Sequence, residues 1–196
     1  MGGGRVAFKE TQPQSGAAFA KAISDAKNAG QFGAAVHVYD PSEYDGMRTF
    51  LTSDGKAGFA LKGDDIVSVF RHPDAIQHKG AAASALSQAV EEGGRKLDAF
   101  DTELPHIYGK NGFRAVARVP FNDEFRPEGW NYEVNKPFNN GRPDVVFMAH
   151  DPSYGQPYKP GDGKMFDNYD DAVAEQSKQV KKLGFGTLAS GAEGGK

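Results

Sequence analysis

The spacing of hydrophobic residues along the chain predicts strands and helices in mixed order. Apolar residues three or four positions apart predict helices over residues 16–28 and 79–92; Phe19, Ile23 and Ala26 form one such stripe. A shorter helix is predicted over residues 104–110, before the turn signal Asn111-Gly112. Short apolar runs between turn residues predict strands over residues 6–9, 34–39, 49–52, 58–61, 66–70, 96–100, 113–121 and 144–149. This pattern indicates a mixed α/β fold.

Two tight turns link three of these strands. Ser53-Asp54-Gly55 separates the strands over residues 49–52 and 58–61, and a second polar turn at Gly63 precedes the strand over residues 66–70. Strands joined so closely must run antiparallel. The sequence therefore predicts a three-stranded meander in the first half of the chain.

Residues 122–143 are rich in Asn, Pro, Gly and charged side chains, which predicts a loop or excursion between two strands. Trp130, Tyr132 and Phe138 lie within it. These aromatic residues either form a recognition surface or close the bottom of the core, and we favour the second interpretation.

The last 46 residues are predicted to extend from the domain. Residues 151–165 contain several Pro and Gly among polar residues and predict an extended linker. A final helix is predicted over residues 167–183, with only a narrow apolar stripe. We expect residues 1–150 to form the domain, and residues 151–196 to reach away from it and contact another protein chain.

Composition and charge exclude several classes of function. The chain has 196 residues and a net charge of −3, so it lacks the basic excess of a protein that neutralises nucleic-acid phosphates. No long apolar run predicts a membrane span or a signal peptide, and we expect a cytoplasmic protein. With no cysteine there is no disulfide, zinc–thiolate site or thiol nucleophile. The five His residues show no metal-binding spacing, so no metal is predicted.

The segment that joins the strand over residues 66–70 to the next helix is the strongest candidate for chemistry. Small residues at a helix start let a ligand approach the backbone, where free N–H groups and the helix dipole favour a phosphate. Lys79 adds a cation there, beside Gly80. The alternative is that Gly80 and the alanines after it simply allow the helix to pack closely on a sheet.

This segment resembles the pyrophosphate loop of the GNAT superfamily of acyl-CoA-dependent acyltransferases. Gln77-x-x-Gly80-x-Ala82 is similar to the family pattern and stands, as there, between a strand and a helix. A second similarity lies downstream, where a short helix carries Tyr108 and the pair Gly112-Phe113 opens the next strand. The resemblance implies one α/β domain with a twisted, mostly antiparallel mixed sheet, splayed near the loop and flanked by helices.

The resemblance also implies roles for particular residues. It makes acetyl-CoA the cosubstrate and an amine of unknown identity the acceptor. Tyr108 takes the position of the tyrosine that protonates the departing CoA thiolate, unless its ring merely packs behind the loop. The implied cofactor-binding residues are Val69, Phe70 and Arg71 on the strand, and Gln77, His78, Lys79, Gly80, Ala81 and Ala82 in the loop.

The sequence departs from the family at two places. Asp101 stands where many relatives have an Asn that touches the cofactor, and the strand over residues 66–70 lacks the carboxylate that serves as base. His72 and Glu103 are the nearest ionisable substitutes, although a histidine at a strand end is also a common surface residue. The alternative function is a catalytically degenerate GNAT-fold protein in a larger assembly. Related domains occur in bacteria and their phages, so a virion is one setting for such an assembly.

Overall fold

The computed structural model describes residues 5–31 and 33–195, with only the backbone of residues 185–195. The terminal glycines at positions 2–4 lie outside the described residues. The described chain forms eight strands: β1 Lys9–Glu10, β2 Arg48–Leu51, β3 Ala57–Lys62, β4 Asp65–Arg71, β5 Lys96–Phe100, β6 Phe113–Val119, β7 Val145–His150 and β8 Lys164–Met165. Its α-helices are α1 Gly16–Ala29, α2 Pro41–Asp45, α3 Ala81–Glu91, α4 Leu104–Lys110 and α5 Tyr169–Gly195.

The chain divides into two compact units. Within the described residues, unit 1 comprises residues 5–94 and 122–142, and unit 2 comprises residues 95–121 and 143–195. In the described chain no helix is both long enough and apolar enough to cross a membrane.

Unit 1 is built on an antiparallel meander in the order β1-β2-β3-β4. The hairpin between β2 and β3 and the one between β3 and β4 confirm the predicted three-stranded meander, and the two-residue β1 pairs with β2. The register between β3 and β4 shifts between Gly58 and Ala60, so that Ser68 and Val69 of β4 face the single residue Phe59. This bulge bends β4 shortly before the strand ends.

The core of unit 1 follows the predicted helical stripe. Phe19, Ile23 and Ala26 of α1 are buried and pack with Tyr44 and Phe70. The ring of Phe19 meets those of Tyr44 and Phe70 edge-on, with centroids 4.7 and 5.7 Å apart. Burial of these aromatic rings stabilises this unit.

Two strand predictions in unit 1 are wrong: one segment forms no strand, and the other strand lies at different residues. Residues 34–39 form no strand: a 3-10 helix occupies Gly33–Ala35, and the short helix α2 follows. Asp40 and Glu43 form a capping box at the start of α2, with Pro41 in its first turn. These local hydrogen bonds favour a helix start over continued extension of the chain. The first strand lies later than predicted, at Lys9–Glu10.

Unit 2 has the strand order β5-β7-β6-β8. β7 pairs antiparallel with both β5 and β6, whereas β8 pairs parallel with β6 through Ala117 and Lys164. The structure confirms the predicted bounds of β5 and α4. Helices α4 and α5 both contact β6. The predicted mixed α/β class, with mostly antiparallel strands flanked by helices, is confirmed.

The C-terminal segment does not reach away from the domain, and that prediction is wrong as far as residue 184. Ala172 of α5 is fully buried in a cluster with Ala117 and Phe147. The buried amide of Gln176 donates to the carbonyl oxygens of Leu97 and Met148, at 2.8 and 3.0 Å. The segment therefore packs on its own chain.

Candidate functional site

The candidate pyrophosphate loop joins β4 to α3 by a 3-10 turn at Ile76–His78 followed by Gly80. Gly80 has φ +79°, a left-handed conformation that glycine adopts without strain, and a side chain added there would meet open space. The first helical hydrogen bond runs from the Ser84 N–H to the Gly80 carbonyl oxygen, at 3.1 Å. The amides of residues 81–83 therefore precede the helical ladder and have no acceptor within the helix.

The six predicted loop residues lie together and are not covered by their own side chains. Gln77, Lys79 and Gly80 are exposed, His78 and Ala82 are half-buried, and Ala81 is buried at the helix start. Ile76, just before them, is 75% exposed although it is a large aliphatic residue. The loop thus combines backbone donors, one exposed cation and an exposed apolar side chain.

The predicted cofactor strand residues at the end of β4 differ in their surroundings. Phe70 is buried in the core of unit 1, Val69 is half-buried and Arg71 is exposed. Ser68, at the bulge, has φ +56°, and its hydroxyl lies 2.8 Å from that of the buried Tyr44. Sequence reasoning missed this bulge, because no glycine or proline marks it in β4 itself.

Asp54 is the second residue that sequence reasoning missed, since it was assigned only to a turn. Its carboxylate accepts hydrogen bonds from the Gln77 side-chain amide at 3.0 Å and contacts His78 Nε2 at 2.8 and 2.9 Å. It also accepts from the Lys56 N–H at 3.0 Å and the Thr52 hydroxyl at 2.7 Å. These hydrogen bonds outweigh desolvation, so the pKa of Asp54 lies well below its usual range.

His72, a predicted base, is already engaged in unit 1. The Asp74 N–H donates to His72 Nδ1 at 3.1 Å. In the neutral imidazole the proton then lies on Nε2, and the only lone pair that accepts a proton is the one on Nδ1. His72 can act as a base only by releasing the Asp74 amide.

Tyr108 and Glu103 lie in unit 2, on or beside α4. Glu103 is exposed and precedes the helix without capping it through its side chain. Tyr108 is buried, and burial together with the charge of Asp98 raises its pKa to about 12. An ordinary phenol has a pKa near 10, so Tyr108 is protonated at neutral pH and holds a proton that it can donate.

Asp101, the departure from the family pattern, is neutralised inside unit 2. The buried guanidinium of Arg118 donates to Asp101 at 2.6 Å and to Asp144 at 3.1 Å. The Tyr158 hydroxyl donates to the other oxygen of Asp101 at 2.7 Å. Arg118 also donates to the carbonyl oxygen of Asp162 at 2.8 Å. The negative charge of Asp101 is thus balanced by a protein cation.

The excursion between β6 and β7 belongs to unit 1. Trp130 is buried, as the favoured interpretation predicted, and its indole N–H donates to the Gly141 carbonyl oxygen at 2.9 Å. Tyr132 and Phe138 are half-buried. In the described chain, no three His, Asp or Glu side chains are grouped so as to hold a metal ion.

The sequence matches no family model and no curated protein, but solved structures share its fold. A GCN5-related N-acetyltransferase from Rhodopseudomonas palustris, described as an aminotransferase of class II, has 17% identity and a TM-score of 0.51, covering 77% of this chain and 98% of its own. A ribosomal-protein-alanine N-acetyltransferase from Brucella melitensis has 12% identity and a TM-score of 0.48, covering 73% and 98%. A phosphinothricin acetyltransferase from Sinorhizobium meliloti, in complex with acetyl-CoA, has 12% identity and a TM-score of 0.47, covering 80% and 95%. The first of these similarities shows that the chain has the fold of the GCN5-related N-acetyltransferases, as the sequence resemblance predicted.

Proposed function

We propose that this protein is an acyl-CoA-dependent N-acyltransferase that transfers an acetyl group from acetyl-CoA to an amine. One observation supports the proposal most directly: the loop after β4 is exposed, turns at the left-handed Gly80 and leads into the amides at the start of α3. Such a helix start binds phosphate through its N–H groups and dipole. The fold shared with an N-acetyltransferase is consistent with this activity.

The residues of the loop suit the pyrophosphate of CoA. The amides of residues 81–83 donate hydrogen bonds, Lys79 supplies a positive charge, and nothing lies within 4 Å of a side chain built at Gly80. Val69, Phe70 and Arg71 on β4 are the proposed contacts of the pantetheine arm. The remaining loop contacts are Gln77 and His78.

The reaction requires an acid and a base. The amine nitrogen attacks the thioester carbonyl carbon, the C–N bond forms, and the C–S bond breaks. Tyr108 is the proposed acid, because it stands where the resemblance places the acid and, like any phenol, it is protonated at neutral pH. Burial, which raises its pKa to about 12, makes it a weaker proton donor. The proton lost by the amine passes to His72 or Glu103, and of these only His72 must first give up a hydrogen bond at the accepting nitrogen.

Calorimetric titration with acetyl-CoA tests the proposal. We expect micromolar binding by the wild type and binding weaker by about 100-fold or more in Gly80→Glu, because a carboxylate at the loop repels the pyrophosphate. Gly63→Glu is the matched control: Gly63 also has a positive φ and open space around it, but lies in the turn between β3 and β4. Equal losses in the two variants, or no binding by the wild type at millimolar acetyl-CoA, contradict the proposal.

The alternative is a catalytically degenerate protein that keeps this fold as part of a larger assembly. The commitment of His72 Nδ1 to the Asp74 amide favours it, since a base is then missing from the end of β4. Release of CoA thiol in the presence of a panel of amines decides between the two. The chain has no cysteine, so a thiol reagent reports CoA without background from the protein. The alternative is supported if the protein binds acetyl-CoA but releases no CoA with any amine, and if Tyr108→Phe leaves the binding unchanged.

A further inference from the structure

The hairpin between β2 and β3 is fastened to the candidate loop by one side chain. Asp54 lies in the turn of this hairpin, 23 and 24 residues before Gln77 and His78, and both of its carboxylate oxygens contact the 3-10 turn of the loop. The same carboxylate accepts from the Lys56 N–H and the Thr52 hydroxyl inside the hairpin. Asp54 therefore links two segments that are distant in sequence.

Other attachments of the loop are few. Within the described part of the chain, the side-chain hydrogen bonds that join residues 73–80 to another element all end on Asp54. The backbone hydrogen bonds of this segment are local, from Ala75 to His72, from Ile76 to Asp74 and from His78 to Ala75. Ala75 is buried and the His72 N–H, just before the segment, donates to the Lys56 carbonyl oxygen, but most of residues 76–80 is exposed and has only local backbone bonds. An external acceptor therefore has a large effect on the order of these residues.

The donors that face Asp54 match a carboxylate. The Gln77 amide donates to one oxygen, and the His78 ring nitrogen lies within hydrogen-bond distance of both. The side chain of Asp54 is one-third exposed and that of His78 is 16% exposed, so water competes only partly for these bonds. Hydrogen bonds to a charged acceptor are about twice as strong as those between neutral groups.

We propose that Asp54 is a positioning residue that orders the loop for the pyrophosphate of CoA. It holds Gln77 and His78 and thereby fixes the backbone that leads into Gly80 and the first amides of α3. The identity of the ligand rests on the proposed function, whereas the ordering of the loop by Asp54 does not depend on any ligand. Ordering the loop before binding lowers the conformational entropy that binding would otherwise cost.

Hydrogen–deuterium exchange and titration with acetyl-CoA test the two parts separately in the full-length protein. In Asp54→Ala, we expect faster amide exchange in residues 76–83 without ligand, and a Kd for acetyl-CoA raised about tenfold. If the protein turns over an amine, the KM for acetyl-CoA rises while kcat changes little. Asp25→Ala is the control, because it removes an equal charge from an exposed ion pair on α1 and should change neither measurement.

The double variant Gln77→Ala/His78→Ala separates the loop contacts from the hairpin contacts. It removes the donors that face Asp54 but leaves the bonds to Lys56 and Thr52 in place. We expect it to match Asp54→Ala in exchange, and combining it with Asp54→Ala should add little to the exchange rate. Its affinity for acetyl-CoA should fall at least as far as that of Asp54→Ala, because Gln77 and His78 are also proposed contacts of CoA.

The outcomes distinguish this proposal from the proposed function. Unchanged exchange in both variants overturns the positioning role. Faster exchange with unchanged affinity for acetyl-CoA overturns its connection to the ligand. If the wild type binds no acetyl-CoA, the proposed function fails together with the ligand part, while the exchange result still decides whether Asp54 orders the loop.

Discussion

Each unit of this protein contains a charged cluster, and the two clusters differ in how far their charged side chains are buried. In unit 2, the Arg118 side chain is 6% exposed and lies between the carboxylates of Asp101 and Asp144. In unit 1, the carboxylate of Asp54 remains one-third exposed and faces the polar side chains of a surface turn. The first cluster joins the C-terminal segment to the strands beneath it, and the second joins a turn to a hairpin.

Burial determines what each cluster does. A charge removed from water is costly unless its partners remain, so loss of one member of a buried cluster destabilises the fold. A partly exposed carboxylate that loses its partners is solvated again at little cost. We therefore expect substitutions around Arg118 to change the stability of the protein, and those around Asp54 to change the order of the loop.

Arg118→Met should have the largest effect. Removal of the guanidinium leaves two largely buried carboxylates without their cation, and we expect a loss of ~3 kcal/mol in the free energy of unfolding, measured by denaturant titration. Arg48→Met is the matched control, since Arg48 also lies on a strand between two carboxylates, Glu10 and Glu92, but is 44% exposed. It should lose less than ~1 kcal/mol. Equal losses in the two variants would show that burial does not distinguish these clusters.

Gln176→Ala should have an intermediate effect. Its amide is buried and donates to the carbonyl oxygens of Leu97 and Met148, which face each other in the β5–β7 ladder, so truncation removes two buried hydrogen bonds beneath α5. We expect a loss of about 2 kcal/mol by denaturant titration. Gln179→Ala serves as control, because the hydrogen bond of Gln179 within the described residues goes to Glu175 on the same helix, and it should change stability by less than ~0.5 kcal/mol. An equally small loss in Gln176→Ala would mean that α5 is only weakly held.

Tyr158→Phe should have the smallest effect at neutral pH, a loss of roughly 1.5 kcal/mol from the hydrogen bond to Asp101. Its main signature is at alkaline pH. Burial and Asp101 raise the pKa of Tyr158 to about 12, so between pH 10 and 12 the folded state holds a proton that the unfolded state has lost. Stability therefore falls as pH rises through this range, by up to about 1.4 kcal/mol per pH unit for each such group.

Thermal unfolding followed by circular dichroism between pH 8 and 12 measures this dependence. In Tyr158→Phe, stability should fall less steeply with pH than in the wild type. The remaining dependence should come from Tyr108, whose pKa is also raised to about 12. An unchanged slope would contradict the role of Tyr158 in the buried cluster. Tyr154→Phe is the control for the loss of a tyrosine hydroxyl, since Tyr154 is 38% exposed and lies outside the buried cluster.

Local signals made some elements predictable. The bounds of β5 and α4 were correct because Gly93 and Gly94 end the preceding helix and Asn111-Gly112 follows α4. The loop was found for the same reason: Gly80 and the alanines are adjacent in sequence. The start of α2 was also present in the sequence, as Asp40 and Glu43 three residues apart after an apolar stretch, but that stretch was interpreted as a strand.

Long-range pairing hid the rest. The segment over residues 151–165 looks like a linker because its residues are polar, yet Tyr158 and Asp162 bond to Arg118, 40 and 44 residues away. Arg118 itself lies in a strand pattern that gives no sign of a buried charge. Asp54 is likewise an ordinary turn residue until its distant donors are known. Such residues are identified only when the fold brings their partners together.

The parallel pairing of β8 also has a consequence for the solution behaviour of the protein. An uncovered edge strand offers unpaired backbone groups to any other extended chain, and is a common starting point for aggregation. Lys164–Met165 occupies the free side of β6 for only two residues before the chain turns into α5. So short a strand pairs with β6 but offers little length to a neighbouring molecule. The C-terminal segment thus shortens the stretch of β6 that is open to pairing with another chain.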